Sequence, residues 1–107
     1  MKLNKNTWFE NVTAPTSGVF AVNNGEVLKL GLSGTATGIT AVLSASMEGK
    51  HYTPISLLDD TTIELIPSMT KLGLYTADIT GYLWVKLDII SVSGGDVSVY
   101  ASMNTNI

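Results

Sequence analysis

Cysteine is missing from all 107 residues, which excludes a disulfide framework and any thiolate metal site. Histidine is nearly missing as well. The single imidazole of His51 cannot supply the several nitrogen ligands a catalytic metal centre needs, so no metal and no cofactor are expected. Positive charge is scarce: six Lys plus Arg stand against nine Asp plus Glu, a net charge of -3. With no basic excess to displace counterions from phosphates, a nucleic acid is not an expected partner. Long apolar runs are absent too. None approaches the roughly 18 residues of a membrane-crossing helix, and the start Met1-Lys2-Leu3-Asn4-Lys5-Asn6 has no apolar segment behind its lysines. The expectation is a soluble, unprocessed chain that does not enter a membrane.

Charge of either sign is sparse, 14% of residues where an average soluble domain has about 25%. The mean hydropathy is +0.28, high for a chain too short to bury most of its surface. Either Ser, Thr, Asn and Gly cover the surface, or part of it is buried against another chain.

What the chain does contain is regular punctuation. Pro15 to Gly18, Asn23-Asn24-Gly25, Ser33 to Gly38, Glu48-Gly49, Asp59-Asp60, Pro67-Ser68, Gly81 and Ser93-Gly94-Gly95-Asp96 break it into short runs. The runs alternate Val, Ile, Leu, Thr and Tyr, and none offers a helical apolar stripe over three turns. Strands are predicted near 7–13, 18–23, 26–33, 39–47, 52–57, 62–66, 73–78, 82–92 and 96–103. The fold class is therefore all-β: an antiparallel, jelly-roll-like β-sandwich of eight to nine short strands with no substantial helix. Residues 1–107 read as one domain, with 1–6 and 104–107 as candidate arms that order on a partner.

Residues opposite each other in an antiparallel pair share a face, so side-chain parity tests a proposed hairpin. A two-residue turn at Asn24-Gly25 would pair Val22 with Val27 and Ala21 with Leu28. Val19, Ala21, Leu28, Leu30 and Leu32 would then face the core, with Phe20, Val22, Val27 and Lys29 outside. A three-residue loop Ser93-Gly94-Gly95 would pair Ile89 with Val99, Leu87 with Ala101 and Val85 with Met103, all six inward. Trp84, Lys86, Asp88, Ile90, Ser98, Tyr100 and Ser102 would lie outside, with Tyr82 nearby.

Catalytic patterns are thin. His51 with a Ser and one of Asp59, Asp60 or Asp78 is the only conceivable triad, and no nucleophile elbow accompanies it. Asp59-Asp60 has the composition of a turn, with a calcium site from several loops as the alternative. No enzyme activity is expected. The candidate functional residues are instead apolar and aromatic. Phe20, Val22, Val27, Tyr82, Trp84 and Tyr100 form a candidate subunit interface. The alternative is a glycan patch in which Tyr82, Trp84 and Tyr100 stack on sugars beside Lys86 and Asp88. Trp8 and Phe9 are candidate anchors of an N-terminal arm reaching a neighbour, or else belong to the first strand.

The segments Gly25 to Gly34, Val42 to Ile55, Gly73 to Tyr82, Val85 to Leu87 and Val97 to Val99, in this order, resemble small β-sandwich virion proteins of tailed bacteriophages. The resemblance covers roughly 18–102. Glu48 stands before the glycine where those proteins more often carry Asp. The resemblance implies a capsid-surface decoration or auxiliary protein, assembled in the host cytoplasm and resident in the virion. Its partners would be copies of itself and other virion proteins, the major capsid protein above all. The alternative within the same resemblance is a glycan- or receptor-binding module of a tail or fibre.

Overall fold

The computed structural model describes residues 2–22 and 25–105, with the side chains of 7–22 and 25–103. Asn23 and Asn24 of the first predicted turn, and residues 1, 106 and 107 of the predicted arms, lie outside the described residues. Among the described residues ten strands follow one another: β1 (Lys2–Val12), β2 (Thr16–Ala21), β3 (Gly25–Gly34), β4 (Gly38–Ser46), β5 (Thr53–Pro54), β6 (Leu57–Asp59), β7 (Glu64–Ile66), β8 (Gly73–Asp78), β9 (Trp84–Ser93) and β10 (Val97–Thr105). Each predicted strand has a counterpart. The run 52–57 divides, because Pro54 has no amide hydrogen to continue a ladder and β5 stops there after two residues.

The strands form two antiparallel sheets packed as a sandwich, one of six strands in the order β1-β10-β3-β8-β6-β7 and one of four in the order β2-β9-β4-β5. Alternation explains the core between them. Leu28, Leu30 and Leu32 of β3, Tyr75 and Ala77 of β8, and Val97, Val99 and Ala101 of β10 line one inner face; Ala41, Leu43 and Ala45 of β4 and Val85, Leu87 and Ile89 of β9 line the other. The Tyr75 hydroxyl donates to the Lys71 carbonyl at 2.6 Å, which satisfies the one polar atom of a buried ring. Burial pushes its phenol pKa up, and that hydrogen bond works in the opposite direction.

Neither predicted hairpin forms. β2 pairs with β9 and β3 with β10 and β8, so β2 and β3 lie in different sheets, and the chain changes sheets again at Ser93 to Asp96. The second crossover is held by the Asp96 carboxylate, which accepts from the Thr35 amide at 3.1 Å and the Thr35 hydroxyl at 2.8 Å. Those two bonds, the hydroxyl first, lower the Asp96 pKa. Gly94 has φ +75°, and a Cβ there would meet the Thr37 side chain.

Facing survives the lost pairing in one case and inverts in the other. In β9 and β10 the predicted inward residues are buried, with Met103 half-buried, because two strands in opposite sheets turn their core faces toward each other. In β2 the prediction inverts: Val19 is 49% exposed and Val22 is 1% exposed. Once β2 leaves β3, nothing ties its parity to Leu28 and Leu30.

The N-terminal residues take the strand alternative. β1 pairs with β10 from Lys2 opposite Thr105 to Val12 opposite Val97, with register shifts between Thr7 and Phe9 and between Phe9 and Val12. Asn11, at φ 51°, sits in the second irregularity, where its amide donates to Ser98 Oγ at 3.1 Å.

Candidate functional site

The first shift in β1 has a direct consequence. A bulge puts two consecutive side chains on one face, and Trp8 and Phe9 both turn toward Phe20 of β2. Trp8 stacks on Phe20 with centroids 3.9 Å apart and planes 4° from parallel, while Phe9 meets it edge-on at 6.0 Å and 89°. β1 and β2 are edge strands of opposite sheets, so these three rings close the open side of the sandwich. Trp8 and Phe9 are thus anchored on their own domain. Phe20, expected on an outer face, points inward, and Val22 is core and offers no surface. Beside the rings a cleft of about 380 Å³ with mixed polar and apolar walls opens between the sheets, lined by Thr7, Trp8, Val19, Phe20, Leu28 and Met103 among others.

The remaining predicted residues divide between two surfaces. Tyr100, 37% exposed, lies on the outer face of the six-stranded sheet, opposite Gly31 of β3, which in turn is opposite Leu74 of β8. Gly31 leaves a shallow apolar recess between the tyrosine and Leu74, which is 60% exposed. Val27 is half-buried on the same sheet, opposite Asp78. Nearby, Lys29 Nζ donates to Asp60 Oδ2 at 2.6 Å and Thr76 Oγ1 to Asp60 Oδ1 at 2.8 Å. The Lys29 bond first, then the Thr76 bond, lower the Asp60 pKa. Asp59 Oδ1 accepts from the Thr61 amide at 2.9 Å, a turn contact, so both aspartates considered for calcium have protein partners.

Trp84 belongs to the other sheet. It lies half-buried on the outer face of β9 beneath Gly49, where a Cβ would come within 3.3 Å of the indole nitrogen. The loop after β4 folds onto it because the buried Ser46 hydroxyl accepts the amides of Glu48 at 3.2 Å and Gly49 at 2.9 Å. Lys86 sits between Tyr52, 6.0 Å from the ring centroid, and Asp88, 3.8 Å away. Tyr82 is half-buried against the core and borders a recess with Met47, Glu48 and His51. Tyr100 and Trp84 therefore occupy opposite sides of the molecule and cannot form one patch. His51 Nδ1 contacts Glu48 Oε1 rather than any of the three aspartates considered for a triad. Among the described residues no group of three or more His, Asp or Glu is arranged to hold a metal ion, and no helix is long and apolar enough to cross a membrane.

Among the described large apolar residues the greatest exposures fall on ones that parity did not single out: Leu65 at 75%, Ile63 at 74% and Met47 at 69%. Ile63 occupies the turn between β6 and β7 at φ 59°, a left-handed conformation that a β-branched residue rarely adopts. A Thr-Thr-Ile-Glu turn carries no glycine or asparagine to announce it.

Residues 2–102 match the model of the XepA family. The chain belongs to the XepA family. The SPBc2 prophage-derived protein YomS superposes with a TM-score of 0.87 at 28% identity, over 95% of this chain and 92% of YomS. The PBSX exported protein XepA itself superposes with a TM-score of 0.89 at 20% identity, over 95% of this chain. This chain spans 37% of XepA, and at that identity the likeness is one of fold. No protein of curated function matches the sequence. Family and fold together make the chain a small phage-related β protein.

Proposed function

We propose that this XepA-family chain is a non-catalytic structural protein of a tailed phage that works by self-association. Its finer assignment is the capsid surface, where it decorates and stabilises the particle, with the major capsid protein as its second partner. The observation that carries the reading is the distribution of apolar side chains. Leu65, Ile63, Leu74, Ile90 and Val19 are all about half exposed or more in a chain with only 14% charged residues. Apolar area withdrawn from water stabilises a contact by about 25 cal/mol per Å² before the costs of association are deducted. Repetition over many copies multiplies modest contacts. The prophage origin of YomS supports the phage setting. Nothing in the reading calls on a nucleic acid, a membrane or a cofactor.

Purified, salt-washed phage particles from the host of origin test it by quantitative mass spectrometry. The expected result is this chain in fixed ratio to the major capsid protein. Its absence from particles, with recovery in the medium or the host envelope, overturns the capsid assignment. The glycan alternative is reduced to the sheet that carries Tyr52, Trp84, Lys86 and Asp88. Retention on host polysaccharide that Trp84→Ala abolishes, with assembly intact, would replace the decoration reading by it.

A further inference from the structure

The outer face of the four-stranded sheet holds a trough of about 520 Å³, within the size range of small-ligand sites. It crosses all four strands. Pro15, just before β2, and Pro54 of β5 border it from opposite sides, because β2 and β5 are the outer strands of this sheet, and Val42, Ser44 and Asp88 lie between them. Strand register puts these side chains together: Val42 is opposite Asp88, Ser44 opposite Lys86, and Pro54 opposite Ser44.

The polar groups of the trough are short of partners. Ser44 is only 7% exposed, and none of the side-chain hydrogen bonds among the described residues uses its hydroxyl. A hydroxyl buried in that way costs stability unless something bonds it. Asp88 and Lys86 share the condition. Their charged ends stand 3.8 Å apart, beyond hydrogen-bond distance, and neither makes another hydrogen bond among the described residues. The ammonium of Lys86 also faces the Tyr52 ring, 6.0 Å from its centroid.

Charge selects the kind of ligand. An anion would be repelled by Asp88 and a cation by Lys86, whereas a neutral molecule bearing several hydroxyls offers donors to the carboxylate and acceptors to the ammonium and to Ser44 at once. The two proline rings and Val42 call for an apolar C–H surface on that same molecule. A sugar ring has both properties.

We propose that this trough is a binding site for a neutral saccharide, with the Asp88 carboxylate accepting from sugar hydroxyls and with Lys86 and Ser44 donating to sugar oxygens. Trp84 stands outside it, roofed by Gly49, so the site is separate from the Trp84 patch. It goes beyond the structural reading above and accompanies that role without depending on it.

A titration of the full chain followed by NMR amide shifts tests it. The probes are neutral gluco-, galacto- and manno-trisaccharides, with trilysine and triglutamate as charged controls. At least one trisaccharide is expected to shift the amides around Ser44 and Asp88 saturably, and the charged controls to leave them in place. Asp88→Ala is expected to weaken that binding at least ~10-fold and Ser44→Ala about 5-fold. Ser44→Ala is also expected to melt no lower than wild type, since it strands no partner, so its loss of affinity cannot come from a damaged fold. Trp84→Ala is expected to keep the affinity. No saturable shift with any trisaccharide, shifts confined to another face, preference for a charged control, or wild-type affinity in both trough variants overturns the site. The mass of the chain in solution is a separate readout, and self-association stands or falls on that alone.

Discussion

The indole of Trp8 lies flat on the ring of Phe20, centroids 3.9 Å apart, and through that stack the edge strand of one sheet is fastened to the edge strand of the other. Phe20 is half-buried and packs against the core on its other side. Phe20→Ala is expected to cost about 2 kcal/mol, below the range for a fully buried ring. A double-mutant cycle with Trp8→Ala, read by urea unfolding, is expected to give a coupling of about 1 kcal/mol. Additive single effects would mean that the stack does not fasten the edges.

The inverted facing of β2 has its own test. Val22→Asp places an unpaired carboxylate where the side chain is 1% exposed and is expected to destabilise by about 4 kcal/mol or more. Val19→Asp, on the opposite face, is expected to cost less than about 1 kcal/mol. Thermal melts of the two variants decide the parity of the strand, since a β2–β3 hairpin would reverse their order.

Tyr75→Phe removes only the hydroxyl that donates to the Lys71 carbonyl. The expected loss is about 1 kcal/mol in denaturant midpoint with an unchanged slope, because the ring still fills its place in the core.

Acid should weaken the fold through three aspartates. Asp60, held by Lys29 and Thr76, has a folded pKa below its ordinary 3.8; Asp78 and Asp96 are lowered in the same way, through hydrogen bonds from Thr80 and Thr35. A depressed carboxylate contributes stability above its unfolded pKa, and that contribution disappears as pH falls through the folded value. Melting temperature is therefore expected to hold steady above about pH 5 and to fall below about pH 4. Asp60→Asn should flatten part of that descent, and an unchanged acid limb would show that the Lys29 contact contributes nothing.

Strand positions were legible because alternation of Val, Ile, Leu and Thr between turn residues depends on local sequence alone. Strand partners were not. Asn23-Asn24-Gly25 and Ser93-Gly94-Gly95-Asp96 have the composition of hairpin turns, yet the strands on either side of each, β2 and β3, β9 and β10, belong to different sheets. A tight turn and a sandwich corner ask for the same residues. For β9 and β10 the mistaken pairing still assigned the right core faces, since Leu87 and Val99 point inward in either arrangement. For β2 both faces are apolar, Val19 and Ala21 against Phe20 and Val22, and parity alone had no means of choosing. The functional surface suffered the same loss. Trp84 and Tyr100 seemed to share a face only while β9 and β10 were neighbours, and Ile63 escaped notice because its left-handed turn has no glycine to mark it.

The claim that this chain works through copies of itself is tested most directly by its mass in solution, measured by light scattering across a range of concentrations at moderate salt. The account predicts a stable multiple of the 11.4 kDa chain. A chain that runs at 11.4 kDa at every concentration would contradict it.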